Sequence, residues 1–225
     1  MTGMRKFKDG KTERICGLIA AVHPNIKTLL VVGCGRGIEA AILAESLGAA
    51  VTGIDTQDNF DADARKAADL RVGNALALDF PDESFDFVYS YHALEHVGRP
   101  AVAISEMARV LKRDGGYWIG TPNRSRLFGY IGSKSASFTE KIRWNLNDWR
   151  ARLTGRFRNE LGAHAGFTVA ELRGLLAASL PPPQNQTFAY YRALYPTQPA
   201  ALNFLNATAL YRIAYPCLYF SGKGA

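Results

Sequence analysis

Short apolar runs alternate with stretches of helical periodicity through the first half of this chain. Residues 29–32 form an unbroken apolar run that ends in Gly33-Cys34-Gly35-Arg36-Gly37. A helical pattern follows, and a second apolar run over 51–54 closes on Asp55. Runs of this length bounded by glycine suit strands buried on both faces. The alternation continues with a short polar helix expected over 61–68 and a short strand over 70–73. After the turn at Pro81-Asp82-Glu83-Ser84, residues 85–90 read as a buried strand. Pro100 suits the first position of a helix carrying Val102, Met107, Val110 and Leu111, expected to end over 112–116 before a strand at 117–120. Strands and helices in strict alternation predict an α/β fold: a Rossmann-like, mostly parallel sheet with helices on both faces.

The flanks are less regular. Ile15, Leu18, Ile19 and Val22 recur at helical spacing and predict an amphipathic N-terminal helix; the apolar stretch is too short for a signal peptide. Thr168 with Glu171 forms a capping box for a helix over 169–179, which Pro181-Pro182-Pro183 stops. Two strand-like runs, 187–191 and 217–220, are expected to close one edge of the sheet, and the segment between them is ambiguous by periodicity. One domain is expected: an N-terminal helical segment (1–27), a core (28–120), an insertion (121–163), and a closing helix and strands (164–225).

Charge changes this picture in one place. The 225 residues carry a net charge of +7, and nine lysines and arginines facing only Glu140 and Asp148 between 124 and 158 account for all of it. Within that segment Phe138, Ile142, Leu146, Trp149, Leu153 and Phe157 recur at spacings of three and four, an apolar stripe along a helix. Three readings compete: a helix docked on the domain with solvated charges, peripheral contact with an anionic membrane, or capture of an anionic acceptor by arginine. RNA is disfavoured, since no recognised RNA-binding domain is present. Three cysteines without paired spacing point to a reducing compartment, and no run is long enough to span a bilayer. A cytoplasmic protein, with membrane association as the variant, is the expectation.

The glycine turn carries the first chemical information. A strand, a glycine turn, a helix and a strand ending in an acid make a nucleoside-binding unit, with Asp55 placed to accept from both ribose hydroxyls. A dinucleotide fingerprint reads G-x-G-x-x-G. Here the glycines stand at 33, 35 and 37, Ile38 follows, and Glu39 occupies the first helical turn. A carboxylate there opposes a pyrophosphate but tolerates a sulfonium and an amino group. The turn by itself favours S-adenosylmethionine over NAD without deciding between them.

Further blocks extend the match. VVGCGRGIEA, VTGID, VGNALALDFPDESFDFVYSYHALEHV and EMARVLKRDGGYWIGTPN follow in order over about residues 28–117, with a weaker echo over 164–176. Together they resemble the class I S-adenosylmethionine-dependent methyltransferases, of the small-molecule type that includes ubiquinone-pathway O-methyltransferases. The resemblance implies a seven-stranded sheet with a helical insertion after the fifth strand. It implies that Gly33, Cys34, Gly35 and Gly37 lie along the methionine portion of the methyl donor, that Asp55 takes the ribose, and that Thr56 lies at the ribose edge. Asn74, commonly Asp in the family, would meet the adenine amine with Ala75 beside it, and Ser90 and Tyr91 would offer backbone groups near the sulfonium.

Methyl transfer is an in-line displacement, so the protein aligns two reactants and removes a proton from the acceptor. His92, Glu95 and His96 stand at i, i+3 and i+4 and would share a face if helical. They supply either a base with an orienting partner or a buried pair that stiffens the loop, with His92 the first choice of base. Acid-rich relatives use this block for a metal, but His92 replaces an acid here, so no metal is expected. His164 matches a family position flanking the acceptor pocket. The acceptor expected is small or lipid-linked, methylated on oxygen; an N- or RNA-directed enzyme and a non-catalytic cofactor-binding module are the alternatives.

Overall fold

The computed structural model describes residues 7–130 and 136–224. Its strands are β1 (Thr28–Val32), β2 (Ala50–Asp55), β3 (Asp69–Val72), β4 (Phe85–Tyr91), β5 (Leu111–Pro122), β6 (Gln184–Asn185) and β7 (Cys217–Lys223). They form one sheet in the order β3-β2-β1-β4-β5-β7-β6. β1 to β5 pair in parallel, while β7 runs antiparallel to β5 and to β6. The helices are α1 (Gly10–Val22), α2 (Ile38–Leu47), α3 (Ala64–Ala67), α4 (Pro100–Val110), α5 (Phe138–Leu153), α6 (Val169–Ala177), α7 (Thr187–Leu194), α8 (Pro199–Ala207) and α9 (Tyr211–Ala214).

Period-two alternation divides the core between the two sheet faces. On β4, Phe87 and Tyr89 join Ile15 and Ile19 of α1 and Tyr190 and Tyr191 of α7. The intervening Val88 faces the other way, with Met107 of α4 and Leu172 and Leu176 of α6. Strand order reverses between β1 and β4, and such a switch point opens a crevice at the carboxyl ends of the strands. The candidate site residues at 33–37 follow β1, and those at 90–96 run from the last two residues of β4 into the loop beyond.

Several expectations are corrected. The run at 187–191 is helical, not a strand; Gln184–Asn185 supplies the edge strand in its place. Alternation at Phe188, Tyr190 and Tyr191 does not separate the two periods, and packing on β7 and on the residue that ends α9 decides for helix: Tyr190 lies 4.0 Å from the Tyr219 ring of β7 and Tyr191 4.2 Å from that of Tyr215. The helix opened by Pro100 ends at Val110, and the stretch read as its end is the start of β5, where Leu111 pairs with Phe85 before a register shift. The polar helix over 61–68 shrinks to one turn, Ala64–Ala67. α8 and α9 fill the ambiguous tail.

The insertion departs furthest from its pattern. α5 begins in a capping box of Ser137 and Glu140, and none of its residues is buried. Phe157, taken as the end of the stripe, lies beyond the helix and is buried, under the guanidinium of Arg152 at 3.9 Å. Lys134, one of the nine basic residues, lies outside the described residues.

Candidate active site

Between β1 and α2 the chain turns on three glycines with positive φ, Gly33 (76°), Gly35 (52°) and Gly37 (81°). That left-handed region is costly for side-chain-bearing residues. The three positions do different work. A Cβ on Gly33 would meet the Cβ of Ala93 at 2.3 Å, so this glycine lets the turn approach the loop after β4. A Cβ on Gly37 would stand 2.2 Å from Leu70 Cδ1, which makes it a packing glycine between α2 and β3. A Cβ on Gly35 would meet nothing within 4 Å. It would project into open space, where a ligand can approach the main chain.

That space is a cavity of about 420 Å³, lined by Gly33, Gly35, Asp55, Thr56, Ala75 and His96 among others. The Asp55 carboxylate accepts from Gly35 N at 2.8 Å and from Gln57 N at 3.2 Å, which ties the end of β2 to the glycine turn. Volume, bare main chain and a fixed carboxylate fit an adenosyl cofactor with its ribose on Asp55. Not every expected residue faces the cavity. The Cys34 thiol is turned inward, packed against Gly53, and burial together with Asp55 pushes it up to about 12. Ser90 is buried, its hydroxyl donating to Val32 O at 3.0 Å, so only its backbone can serve a ligand. Asn74 is exposed and its amide oxygen accepts from Leu76 N at 2.9 Å, an Asx turn that shapes the loop before Ala75. Tyr91 lies edge-on to the His92 ring at 4.3 Å.

The histidine block is not one helical face. Leu94–His96 is a single 3₁₀ turn, and His92 precedes it in the left-handed region with φ 52°. Its amide donates to Gly120 O at 2.8 Å, which holds this strained backbone against β5. The imidazole stands between two groups, with Nε2 3.4 Å from Cys217 Sγ and Nδ1 3.2 Å from Glu95 Oε1. Burial alone would lower the His92 pKa, but Cys217 and Glu95 outweigh it and raise the group to about 10. Burial would raise the Cys217 thiol, and the His92 charge reverses this, leaving it below its ordinary value. Each group favours the charged form of the other: the imidazolium lowers the thiol and the sulfur raises the imidazole. Glu95 is buried, and neither oxygen is aligned for a hydrogen bond. Its contact with His92 is therefore an ion pair with poor hydrogen-bond alignment.

His92 and His96 both line the cavity, and the His96 ring lies edge-on to that of His164 at 4.6 Å. Burial, then the neighbouring His96, lowers the His164 pKa, so His164 is neutral at physiological pH. His164 also has positive φ (43°), and its carbonyl accepts from Arg126 Nη2 at 3.4 Å. Glu39, in the first turn of α2, accepts from the Tyr89 hydroxyl at 3.3 Å, and burial raises its carboxyl to about 7 despite the attraction of His92. Among the described residues no group of three or more His, Cys, Asp or Glu is arranged to hold a metal ion.

Sequence reasoning missed Cys217, which stands 125 positions from its partner His92 and carries no local signal. It also missed Gln57, Gly73 and Val97 in the cavity wall. Gly73 could have been found, because it immediately precedes Asn74 in the matching block.

A crevice at the switch point of a seven-stranded sheet, with a bare glycine turn and a carboxylate at the end of the neighbouring strand, is the arrangement of the Rossmann-like folds that bind nucleoside cofactors. The methyltransferase domain family matches residues 30–119. A ubiquinone biosynthesis O-methyltransferase of Pseudomonas paraeruginosa is 34% identical over 164 residues, covering 66% of this chain and 68% of that protein. A phosphatidylethanolamine N-methyltransferase of Cereibacter sphaeroides is 29% identical over 174 residues, 72% of this chain and 76% of that one. The chain is 35% identical over 153 residues to a "Probable S-adenosylmethionine-dependent methyltransferase" of Mycolicibacterium smegmatis, covering 66% of itself but only 55% of that protein's length. The [4+2]-cyclase SpnF shares the fold, with a TM-score of 0.56 at 20% identity over 96% of this chain and 85% of that one. The chain belongs to the S-adenosylmethionine-dependent methyltransferases.

Proposed function

We propose that this enzyme methylates an oxygen of a small or lipid-linked acceptor, and that the His96–His164 pair receives the acceptor's proton. S-adenosylmethionine, when bound, supplies an electrophilic methyl group. A hydroxyl acceptor must lose its proton as that group is transferred, whereas a neutral amine can attack before losing one, so a neutral base beside the cavity favours oxygen. The observation that carries the reading is the neutral His164 set against His96 at the cavity wall.

Two roles change with it. His92 is first choice as base on sequence grounds, but a group held charged by Cys217 and Glu95 is a poor proton acceptor near neutral pH. We assign it to orienting the loop and stabilising negative charge that develops on the acceptor oxygen. Asp55 and the Gly33–Gly35 main chain would bind the donor's ribose and methionine portions, and Asn74 and Ala75 would border the adenine. The O-methyltransferase relative supports oxygen, and the phosphatidylethanolamine N-methyltransferase supports the amine alternative.

S-adenosylhomocysteine release should be measured with matched phenolic and amine acceptors, each free and lipid-linked. Turnover with phenols, lost in His96→Ala and His164→Ala, is expected. Turnover confined to amines, or full activity in both variants, would overturn the assignment.

A further inference from the structure

α5 is mounted with its polar side inward. Asn145 accepts from Gly129 N at 2.7 Å, and Trp149 Nε1 donates to Leu127 O at 2.7 Å. Arg152 donates to Arg124 O at 2.7 Å and to Arg126 O at 2.8 Å. Asp148, shielded from water, pairs with buried Arg126 at 3.1 Å. The side next to it carries Phe138, Ile142, Leu146 and Leu153, with Trp149 at the boundary between the two, and these five fall within an arc of about 80° at 3.6 residues per turn. All five are exposed, Phe138 at 77% and Leu153 at 89%. Phe128, itself half exposed, continues the patch from the neighbouring loop, its ring 5.6 Å from that of Trp149. A soluble helix normally turns such a stripe to the core. Patches of this kind mark an interaction surface.

Charge selects the partner. Arg143 and Arg150 lie about 40–60° beyond one edge of the stripe by the same helical geometry, and Arg156 and Arg158 follow the helix. All four are exposed, and none is ion-paired among the described residues. Of the acids of the segment, Asp148 pairs with Arg126, and Glu140 is hydrogen-bonded in the helix cap, where it also attracts Arg143 without an ion-pair contact. We propose that the outward stripe of α5 docks on an anionic lipid bilayer, with Phe138, Ile142, Leu146, Trp149 and Leu153 entering the interface and Arg143, Arg150, Arg156 and Arg158 meeting lipid phosphates. No described helix is long and apolar enough to cross a membrane, so the helix lies along the surface. Arg126 joins the pieces: it grips Asp148 of α5 and donates to the carbonyls of His164 and Ala165 beside the cavity. Docking would therefore hold the cavity close to the lipid headgroups. The surface argument is independent of which acceptor atom is methylated.

The test is co-sedimentation of the full chain with phosphatidylcholine vesicles, with and without a fraction of phosphatidylglycerol. Binding to the anionic vesicles that weakens with added salt is expected. Leu146→Glu combined with Ile142→Glu should abolish it. Arg143→Gln and Arg150→Gln should each weaken it about fivefold, since a basic side chain near an anionic surface contributes about 1 kcal/mol. All of these side chains are exposed, so the thermal shift with S-adenosylmethionine should be unchanged, which separates loss of docking from loss of fold or cofactor site. Equal or absent binding to both vesicle types would overturn the proposal. So would a dimer in sedimentation velocity that Leu146→Glu dissociates without any vesicle binding, which would assign the stripe to a second copy of the chain.

Discussion

Gly33→Ala should destabilise the protein and disturb the site through one neighbour, Ala93. The added Cβ would stand 2.3 Å from the Cβ of Ala93. Carbon atoms make their best contact at about 3.5–4.0 Å, and neither methyl can rotate away, because each is fixed to its own main chain. The backbone at Gly33 has φ 76°, a conformation that costs an alanine about 1–2 kcal/mol. Overpacking of a tight contact adds about 1–3 kcal/mol, so the loss expected is about 2–5 kcal/mol. Relief comes from the partner. In Gly33→Ala/Ala93→Gly the clash is gone and only the backbone strain and the freedom of the new glycine remain, so the double variant should be about 1–3 kcal/mol more stable than the sum of the two single changes. Urea unfolding followed by tryptophan fluorescence measures all four species. The loop pushed by the clash carries His92 and His96, so affinity for S-adenosylmethionine by calorimetry should fall with Gly33→Ala and partly return in the double variant. A Gly33→Ala protein as stable as the parent, or a coupling energy of zero, would refute the argument.

Asp55→Ala removes the carboxylate proposed to hold the ribose; at about 1.5–3 kcal/mol for a charge-assisted hydrogen bond, affinity for S-adenosylmethionine should drop about 10- to 100-fold by calorimetry. Glu39 has a carboxyl raised from 4.5 to about 7, so the folded state binds its proton more tightly than the unfolded chain does, and stability should decline as pH rises from about 4.5 through 7. Glu39→Gln should flatten that decline and be more stable than the parent at pH 8 by up to about 3 kcal/mol in denaturant unfolding without cofactor; an unchanged pH profile would contradict the burial of the charge. His92 has a raised pKa, so its charge contributes stability that is fully present below the ordinary histidine value and is lost as pH climbs through about 10. Cys217→Ala should move its NMR titration to lower pH, since burial then acts against Glu95 alone; an unmoved titration would remove the thiolate from the site. Asp148→Asn leaves the buried Arg126 without its ion-pair partner and should destabilise by about 3–5 kcal/mol, read by thermal unfolding.

Much of the cavity was legible because its parts are local. A glycine turn needs its glycines next to one another, and Asp55 needs only to end the strand that follows. Ordered blocks then fixed the family. The histidine chemistry was legible as residue types and not as roles. His92, Glu95 and His96 are close in sequence, but the groups they meet, Cys217 beside His92 and His164 beside His96, arrive from β7 and from the segment after α5. The Thr187–Leu194 helix was misread for a related reason: an apolar run of that length fits either period, and its choice is made by the aromatic residues it meets.

Periodicity, glycine spacing and the acid that ends β2 determined the parallel sheet and a nucleoside-binding unit, each encoded within a few tens of residues, and the ordered blocks over about 28–117 added the methyl donor. The tertiary structure decided which imidazole is charged and which is neutral, since that depends on burial and on partners up to 125 positions away. It also decided which side of α5 faces water. An apolar stripe in a sequence says only that one face will be covered; here Asn145, Trp149 and Arg152 bind the backbone at 124–129, and Phe138, Ile142, Leu146 and Leu153 are left exposed among the described residues.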